Sequence, residues 1–267
     1  MQKEIKHTAD YLKLIRSKGI YSFTSEDLLL NVPKSLINIR KDLDRLRAKD
    51  EISTIRKGFY TIIPIEYQNV GGIPIEFFID HLMIYISKPY YVGLFSAAMF
   101  HGAAHQQPQA FFVVANAPKP RNILYNDFLL SFTERRIIPT IGIEKMKTDT
   151  GYFNVSGKEL TFLDLIYFEN QMGGYNRIIT VLQELSEGIK ISKMKEALKN
   201  DFPISTIQRA GFISENILEN SKLAGVFKSK LQNSQYKTVL LKPAGQKEGE
   251  FNADWKVIVN IQISSDL

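Results

Sequence analysis

The stretch that decides the fold of the N-terminal part reads VPKSLINIRKDLDRLRAKDEISTIRKGFYTII, from Val32 to Ile63. Its first half predicts a helix from about Pro33 to Lys49, because apolar residues recur there at helical spacing. They form one face that we expect to be buried: Leu36, Ile39, Leu43 and Leu46. The second half predicts a hairpin, since β-branched and aromatic residues flank a turn at Arg56-Lys57-Gly58.

The opposite face of the predicted helix is polar and mostly basic. Its members fall within an arc of about 80°: Lys34, Asn38, Lys41, Arg45 and Lys49. Upstream, Ile5–Ile15 and Thr24–Leu30 have the patterns of two shorter helices. The order of two helices, a basic helix and a basic-tipped hairpin is typical of a winged helix-turn-helix and predicts double-stranded DNA as the partner.

The spacing divides the polar residues into two roles. Residues near the start of a recognition helix usually reach base edges, so we expect base contacts from the residues at that end: Lys34, Ser35, Asn38 and Lys41. We expect phosphate contacts from Arg45, Lys49, Arg56 and Lys57. A solvated helix face is one alternative, and a winged helix that docks an acidic protein partner is another.

The charge distribution favours the same interpretation. The 267-residue chain carries a net charge of +6, and residues 1–63 contain thirteen basic and eight acidic residues. Most of the basic excess therefore belongs to the N-terminal quarter. Cysteine is absent, which excludes disulfides and thiol chemistry. No apolar segment predicts a signal peptide or a membrane span, so we expect a cytoplasmic protein.

The remainder of the chain predicts a second, larger domain. Gly71-Gly72 and Pro74 indicate a junction, which divides the chain into a winged helix-turn-helix over 1–68 and a domain over 73–267. In the second domain we expect helices at Tyr90–Phe100 and Leu160–Glu169, and strands at Ala110–Ala115 and Ile137–Ile143. The predicted fold class is α+β, with a mixed α/β C-terminal domain.

Catalytic patterns are weak, so we expect no enzyme, metal or cofactor. His101 and His105 are four residues apart, but the glutamate of a zinc-protease helix is missing, and we expect structural histidines. Asp127 and Glu144 could supply the carboxylates of a DNA-targeted nuclease. That possibility remains as an alternative function.

Several segments along the chain form a recognisable series. The first two are the hairpin segment RKGFY at 56–60 and the block YYVGLFSAA at 90–98, which His101-Gly102 follows. Further blocks are ELTFLDL at 159–165 with the later Gly173-Gly174, and RAGFI at 209–213. The last two are LLKP at 240–243 and WKVIVN at 255–260. Together these segments resemble the AbiEi family, the antitoxins of type IV toxin–antitoxin systems, in which leucine usually stands at the position of Ala210.

The resemblance implies a DNA-binding antitoxin that represses its own operon. In that family the winged helix binds inverted repeats in the promoter. The C-terminal domain counters a nucleotidyltransferase-like toxin, usually without a stable complex. The resemblance implies no cofactor.

Overall fold

The N-terminal module, residues 5–63, combines three helices with a small sheet. In this computed structural model the described residues are 5–103, 110–232 and 234–263, so His105 lies outside them. The elements of the module follow one another closely: α1 (Thr8–Ser17), β1 (Ser22–Thr24), α2 (Ser25–Asn31), α3 (Leu36–Ala48), β2 (Ile52–Arg56) and β3 (Phe59–Ile62). The sheet has the order β1-β3-β2 with antiparallel pairing throughout.

Local capping explains where the two central helices begin. Thr24 and Asp27 form a reciprocal capping box at the start of α2. Ser35 caps α3 by accepting a hydrogen bond from the Asn38 amide, so α3 begins at Leu36 and not at Pro33. The predicted helix was therefore three residues too long at its N-terminal end.

The buried face of α3 is narrower than the sequence pattern predicted. Ile39 and Leu43 are buried in a core that they share with α1, α2 and the sheet, and Leu46 packs against it. Leu36 is 41% exposed, so its predicted burial was wrong. It occupies the first helical position, at the edge of the module.

The second part of the chain begins with three short helical segments: α4 (Ile65–Gln68), a 3₁₀ turn (Ile75–Phe77) and α5 (Ile79–Tyr85). The first strand of the main sheet, a helix and a second strand follow: β4 (Tyr90–Val92), α6 (Leu94–Phe100) and β5 (Ala110–Asn116). The remaining strands of the main sheet follow: β6 (Ile123–Tyr125), β7 (Phe128–Arg135), β8 (Ile143–Thr148) and β9 (Gly151–Ser156). Five helices come next: α7 (Lys158–Tyr167), α8 (Tyr175–Gly188), α9 (Ile191–Ala197), α10 (Ile204–Asn216) and α11 (Ser221–Leu231). A small sheet ends the described chain: β10 (Val239–Leu240), β11 (Glu250–Asn252) and β12 (Val257–Val259).

A six-stranded mixed sheet forms the centre, in the order β6-β7-β5-β4-β9-β8. Neighbouring residues of a strand point to opposite faces, and the two sides of this sheet pack into different cores. Tyr91 and Val114 join the core that contains α7 to α11. Val92 and Val113 join a second core that includes α5 and also two residues of the hairpin, Ile55 and Phe59.

The predicted α+β class is confirmed, whereas two predicted elements were wrong. The helix expected over Tyr90–Phe100 is split into a strand and a helix, since Gly93 separates β4 from α6. The strand expected over Ile137–Ile143 is mostly a loop, which connects the end of β7 at Arg135 to the start of β8 at Ile143.

Candidate nucleic-acid interface

The outward face of α3 is open to solvent. Its polar residues Asn38, Lys41, Arg45 and Lys49 are all exposed, and the side chain of Arg45 is 76% exposed. The rest of the described chain leaves this surface uncovered. The face that the helical pattern singled out is therefore available to a partner.

Lys34 and Ser35 make contacts within the protein. The Lys34 ammonium lies 2.6 Å from an oxygen of Asp42, and its side chain is 24% exposed. The same carboxylate accepts a hydrogen bond from Thr8. Burial opposes the charged form of Asp42, but the bonds from Lys34 and Thr8 outweigh it and lower the pKa of this carboxyl. Asp42 of α3 thus connects Lys34, in the turn before α3, with Thr8 of α1. The side chain of Ser35 forms the N-cap of α3.

The tip of the hairpin between β2 and β3 is held on two sides. The Ser25 amide donates to the carbonyl of Gly58 over 2.9 Å, and the Tyr85 hydroxyl donates to the carbonyl of Lys57 over 3.2 Å. The side chains of Arg56 and Lys57 are nevertheless exposed. The tip therefore presents two cations from a backbone that is anchored in place.

A joint between the hairpin and α5 holds the N-terminal module against the rest of the chain. The Phe59 ring packs on His81 and Tyr85, with ring centroids 5.0 and 5.5 Å apart. Oγ of Ser22 lies 2.8 Å from Nδ1 of His81. Burial lowers the pKa of His81, which favours the neutral ring. Sequence reasoning missed this joint, because Ser22 and His81 lie 59 residues apart and no local pattern links them.

The carboxylates of the nuclease alternative are far from each other in the sheet. Asp127 lies in the turn between β6 and β7, at one edge, and Glu144 lies on β8, at the other. Glu144 is paired with Lys193 at 2.9 Å. Within residues 5–103, 110–232 and 234–263, no group of three or more potential metal ligands comes together. His101 bonds through Nε2 to the carbonyl oxygen of Ser156 at 2.7 Å.

A buried ionic cluster joins the main sheet to α7. Asp164 on α7 receives hydrogen bonds from Arg135 of β7 and from the Tyr91 hydroxyl of β4, the latter over 2.6 Å. Complete burial raises the pKa of Asp164 to about 6, although both donors favour the ionised form. The guanidinium also lies over the Phe202 ring, 4.5 Å from its centroid. This cluster fixes the sheet against the helical layer.

The same region of the chain matches a known family. Residues 91–216, from β4 to the end of α10, match the model of the AbiEi antitoxin C-terminal domain. Residues 91–216 form an AbiEi antitoxin domain. The resemblance that the sequence blocks indicated is thereby confirmed for this range, which matches the C-terminal domain of a toxin–antitoxin antitoxin. The blocks at 56–60, 240–243 and 255–260 lie outside the matched range.

The fold of the whole chain also has a known counterpart. The crystal structure of the RV2827C protein from Mycobacterium tuberculosis aligns with a TM-score of 0.66, covering 96% of this chain and 92% of that chain. The sequence identity is 13%, so this similarity shows the fold alone. No curated protein matches the chain. Among the described residues, no helix has the length and apolar composition needed to cross a membrane.

A close contact between α10 and the C-terminal segment explains the glycine in the block RAGFI at 209–213. Gly211 on α10 lies under the ring of Trp255, and a Cβ atom added to this glycine would stand 1.9 Å from the ring. The Trp255 indole donates to Glu215 at 2.6 Å. A small residue at 211 is therefore needed for the C-terminal segment to dock on α10.

Proposed function

We propose that the chain is a DNA-binding antitoxin that represses its own operon in the cytoplasm. In this proposal the N-terminal module is a winged helix-turn-helix that recognises inverted repeats in the promoter. The antitoxin domain counters a nucleotidyltransferase-like toxin without forming a stable complex with it. The proposal separates DNA recognition and antitoxicity into two parts of one chain.

One observation carries the DNA-binding part of the proposal. The outward face of α3 is exposed and cationic, and it stands next to a hairpin whose basic tip is anchored. Arg47 of α3 bonds to Thr54 of β2 at 3.2 Å, which links the end of the helix to the hairpin. A helix and a hairpin held in this way can meet a groove and the neighbouring backbone together.

The exposed residues take two roles in the proposal. Asn38 and Lys41, near the start of α3, contact base edges in the major groove, each good contact contributing about 1–3 kcal/mol. The other cations hold the phosphates: Arg45, Lys49, Arg56 and Lys57. Lys34 and Ser35 support the start of α3 through their internal contacts, and Lys34 reaches DNA only where its pair with Asp42 opens.

The experiment compares two double variants of equal charge. Lys41→Ala with Arg45→Ala removes two cations from the outward face of α3. Lys222→Ala with Lys230→Ala removes two exposed cations from α11. Affinity for the segment upstream of this chain's reading frame is measured by gel shift, with random-sequence duplex as competitor. Repression is measured with a reporter placed behind the same segment.

The α3 variant should lose at least tenfold in affinity as well as repression, whereas the α11 variant should bind like the wild type. Equal binding by all three proteins would remove the proposed interface. Weak binding that does not depend on sequence would instead favour the alternative in which the basic face docks an acidic protein. Antitoxicity is tested separately, by expressing the neighbouring toxin gene with each variant.

A further inference from the structure

One exposed side chain of α3, beside the cationic face, is apolar. Ile37 is 66% exposed, and it occupies the second position of the helix. Most other exposed positions of α3 are polar or charged. An isolated surface isoleucine is common by itself, so its neighbours decide what it indicates.

Ile37 shares one face with the two cations that the proposed interface depends on. Ile37, Lys41 and Arg45 are four residues apart in turn, which places them within an arc of about 80° on an α-helix. The buried residue Ile39 lies on the opposite side. Ile37 is therefore the apolar member of the outward face, and it lies toward the end of α3 that reads bases in a recognition helix.

The charges beside Ile37 indicate what can cover it. A second copy of the chain, docked on this patch by two-fold symmetry, would bring its Lys41 and Arg45 close to the same two cations of the first copy, which is unfavourable. A duplex supplies phosphates for these cations and an apolar group for the isoleucine. In the major groove that group is the 5-methyl of thymine, since guanine, cytosine and adenine present polar edges there.

We propose that Ile37 contacts the 5-methyl group of a thymine in the major groove, so that each bound half-site requires a thymine at a fixed position. This inference rests on the proposed DNA-binding function and adds the base that one residue selects. Isoleucine suits the role because branching at Cβ restricts its first side-chain torsion in a helix. Its methyl groups are therefore held in position before DNA binds.

The test removes the methyl group from the DNA and the isoleucine from the protein. The probe is a duplex that the wild-type protein enriches from a randomised pool, with each thymine replaced in turn by deoxyuridine, which lacks only the 5-methyl. The proteins are the wild type, Ile37→Ala and Leu30→Ala. Leu30 is the matched control, because it is an apolar residue of α2 that is 84% exposed. Alanine is a strong helix former, so Ile37→Ala should fold.

The wild type and Leu30→Ala should lose about fourfold in affinity at one thymine per half-site, the effect of one buried methyl group. Ile37→Ala should bind the two duplexes equally at that position. The inference is overturned when an enriched sequence shows no sensitive thymine, or when Ile37→Ala stays as sensitive as the wild type. Failure to enrich any sequence overturns the proposed DNA-binding function as well, so the two failures are distinguishable.

Discussion

Arg135 provides the clearest prediction about what holds the antitoxin domain together. Its side chain is 6% exposed, and its guanidinium neutralises the carboxylate of Asp164, whose side chain is fully buried. It also donates to the Tyr91 hydroxyl at 3.1 Å and stacks over the Phe202 ring. Replacing Arg135 by methionine keeps most of the side-chain volume but leaves a buried carboxylate without its cation.

We expect Arg135→Met to lower the free energy of unfolding by about 3–5 kcal/mol, the usual effect of removing one partner of a buried ion pair. Loss of the ring contact adds about 0.5–2 kcal/mol at most. The double variant with Asp164→Leu removes both charges and should recover part of the lost stability, because an apolar pair of similar volume is often as stable as a buried ion pair. The recovery is partial, since both hydrogen-bond partners of the buried Tyr91 hydroxyl are removed.

Urea denaturation of the three proteins measures these differences, since the midpoint falls in proportion to stability. Circular dichroism follows the loss of helix during the titration. A loss below about 1 kcal/mol for Arg135→Met, the range of an exposed pair, would refute the role of the cluster in joining β4, β7 and α7. A double variant that is no more stable than the single one would refute the argument from the uncompensated charge.

Two further predictions concern packing and pH. In a thermal unfolding assay, Gly211→Ala should lower the free energy of unfolding by about 1–3 kcal/mol through overpacking against Trp255. Gly225→Ala is the control, because Gly225 on α11 faces open space, and this variant should be neutral or stabilising. Equal effects at both glycines would contradict the packing of Trp255 on Gly211. The lowered pKa of His81 in the fold means that the unfolded chain binds this proton more readily, so the contribution of His81 is complete above about pH 6.5 and falls as the pH drops. The stability advantage of the wild type over His81→Gln should therefore shrink between pH 8 and pH 5, and a constant difference would contradict the burial of this ring at the joint.

Local patterns predicted the N-terminal module well, because its elements are determined by neighbours in sequence. The capping box of Thr24 and Asp27 and the turn at Gly58 each lie within a few residues of the elements they limit. The start of α3 was wrong by three residues, since both Pro33 and Ser35 are compatible with a helix beginning. Only the bond from the Asn38 amide to Ser35 decides between them.

Contacts between distant residues could not be predicted. Tyr90-Tyr91-Val92 continues into an apolar helix, and its strand character comes from pairing with β5 and β9. The engagement of Lys34 by Asp42 depends on the path of the chain before α3, which no periodicity describes. The strand order of the central sheet therefore could not be predicted from local sequence patterns.

The exposure of the polar face of α3 was predicted from helical spacing alone, whereas its contact with DNA stays a prediction. The helical spacing of Lys41 and Arg45 placed both on the outward face, and both are exposed. The anchoring of the hairpin tip by Tyr85 could not be predicted, because the two lie 28 residues apart. The same is true of Arg135 and Asp164, which come together only when β7 packs beneath α7.

The salt dependence of DNA binding tests the central claim most directly. Each phosphate contact contributes a slope of about 0.9 in a plot of log affinity against log salt concentration. The wild type should show a steep negative slope on the upstream segment. A variant with Arg45→Ala and Arg56→Ala should have a slope smaller by about 1.8, while the α11 variant should match the wild type. Identical slopes for all three proteins would contradict the claim that α3 and the hairpin tip meet the duplex.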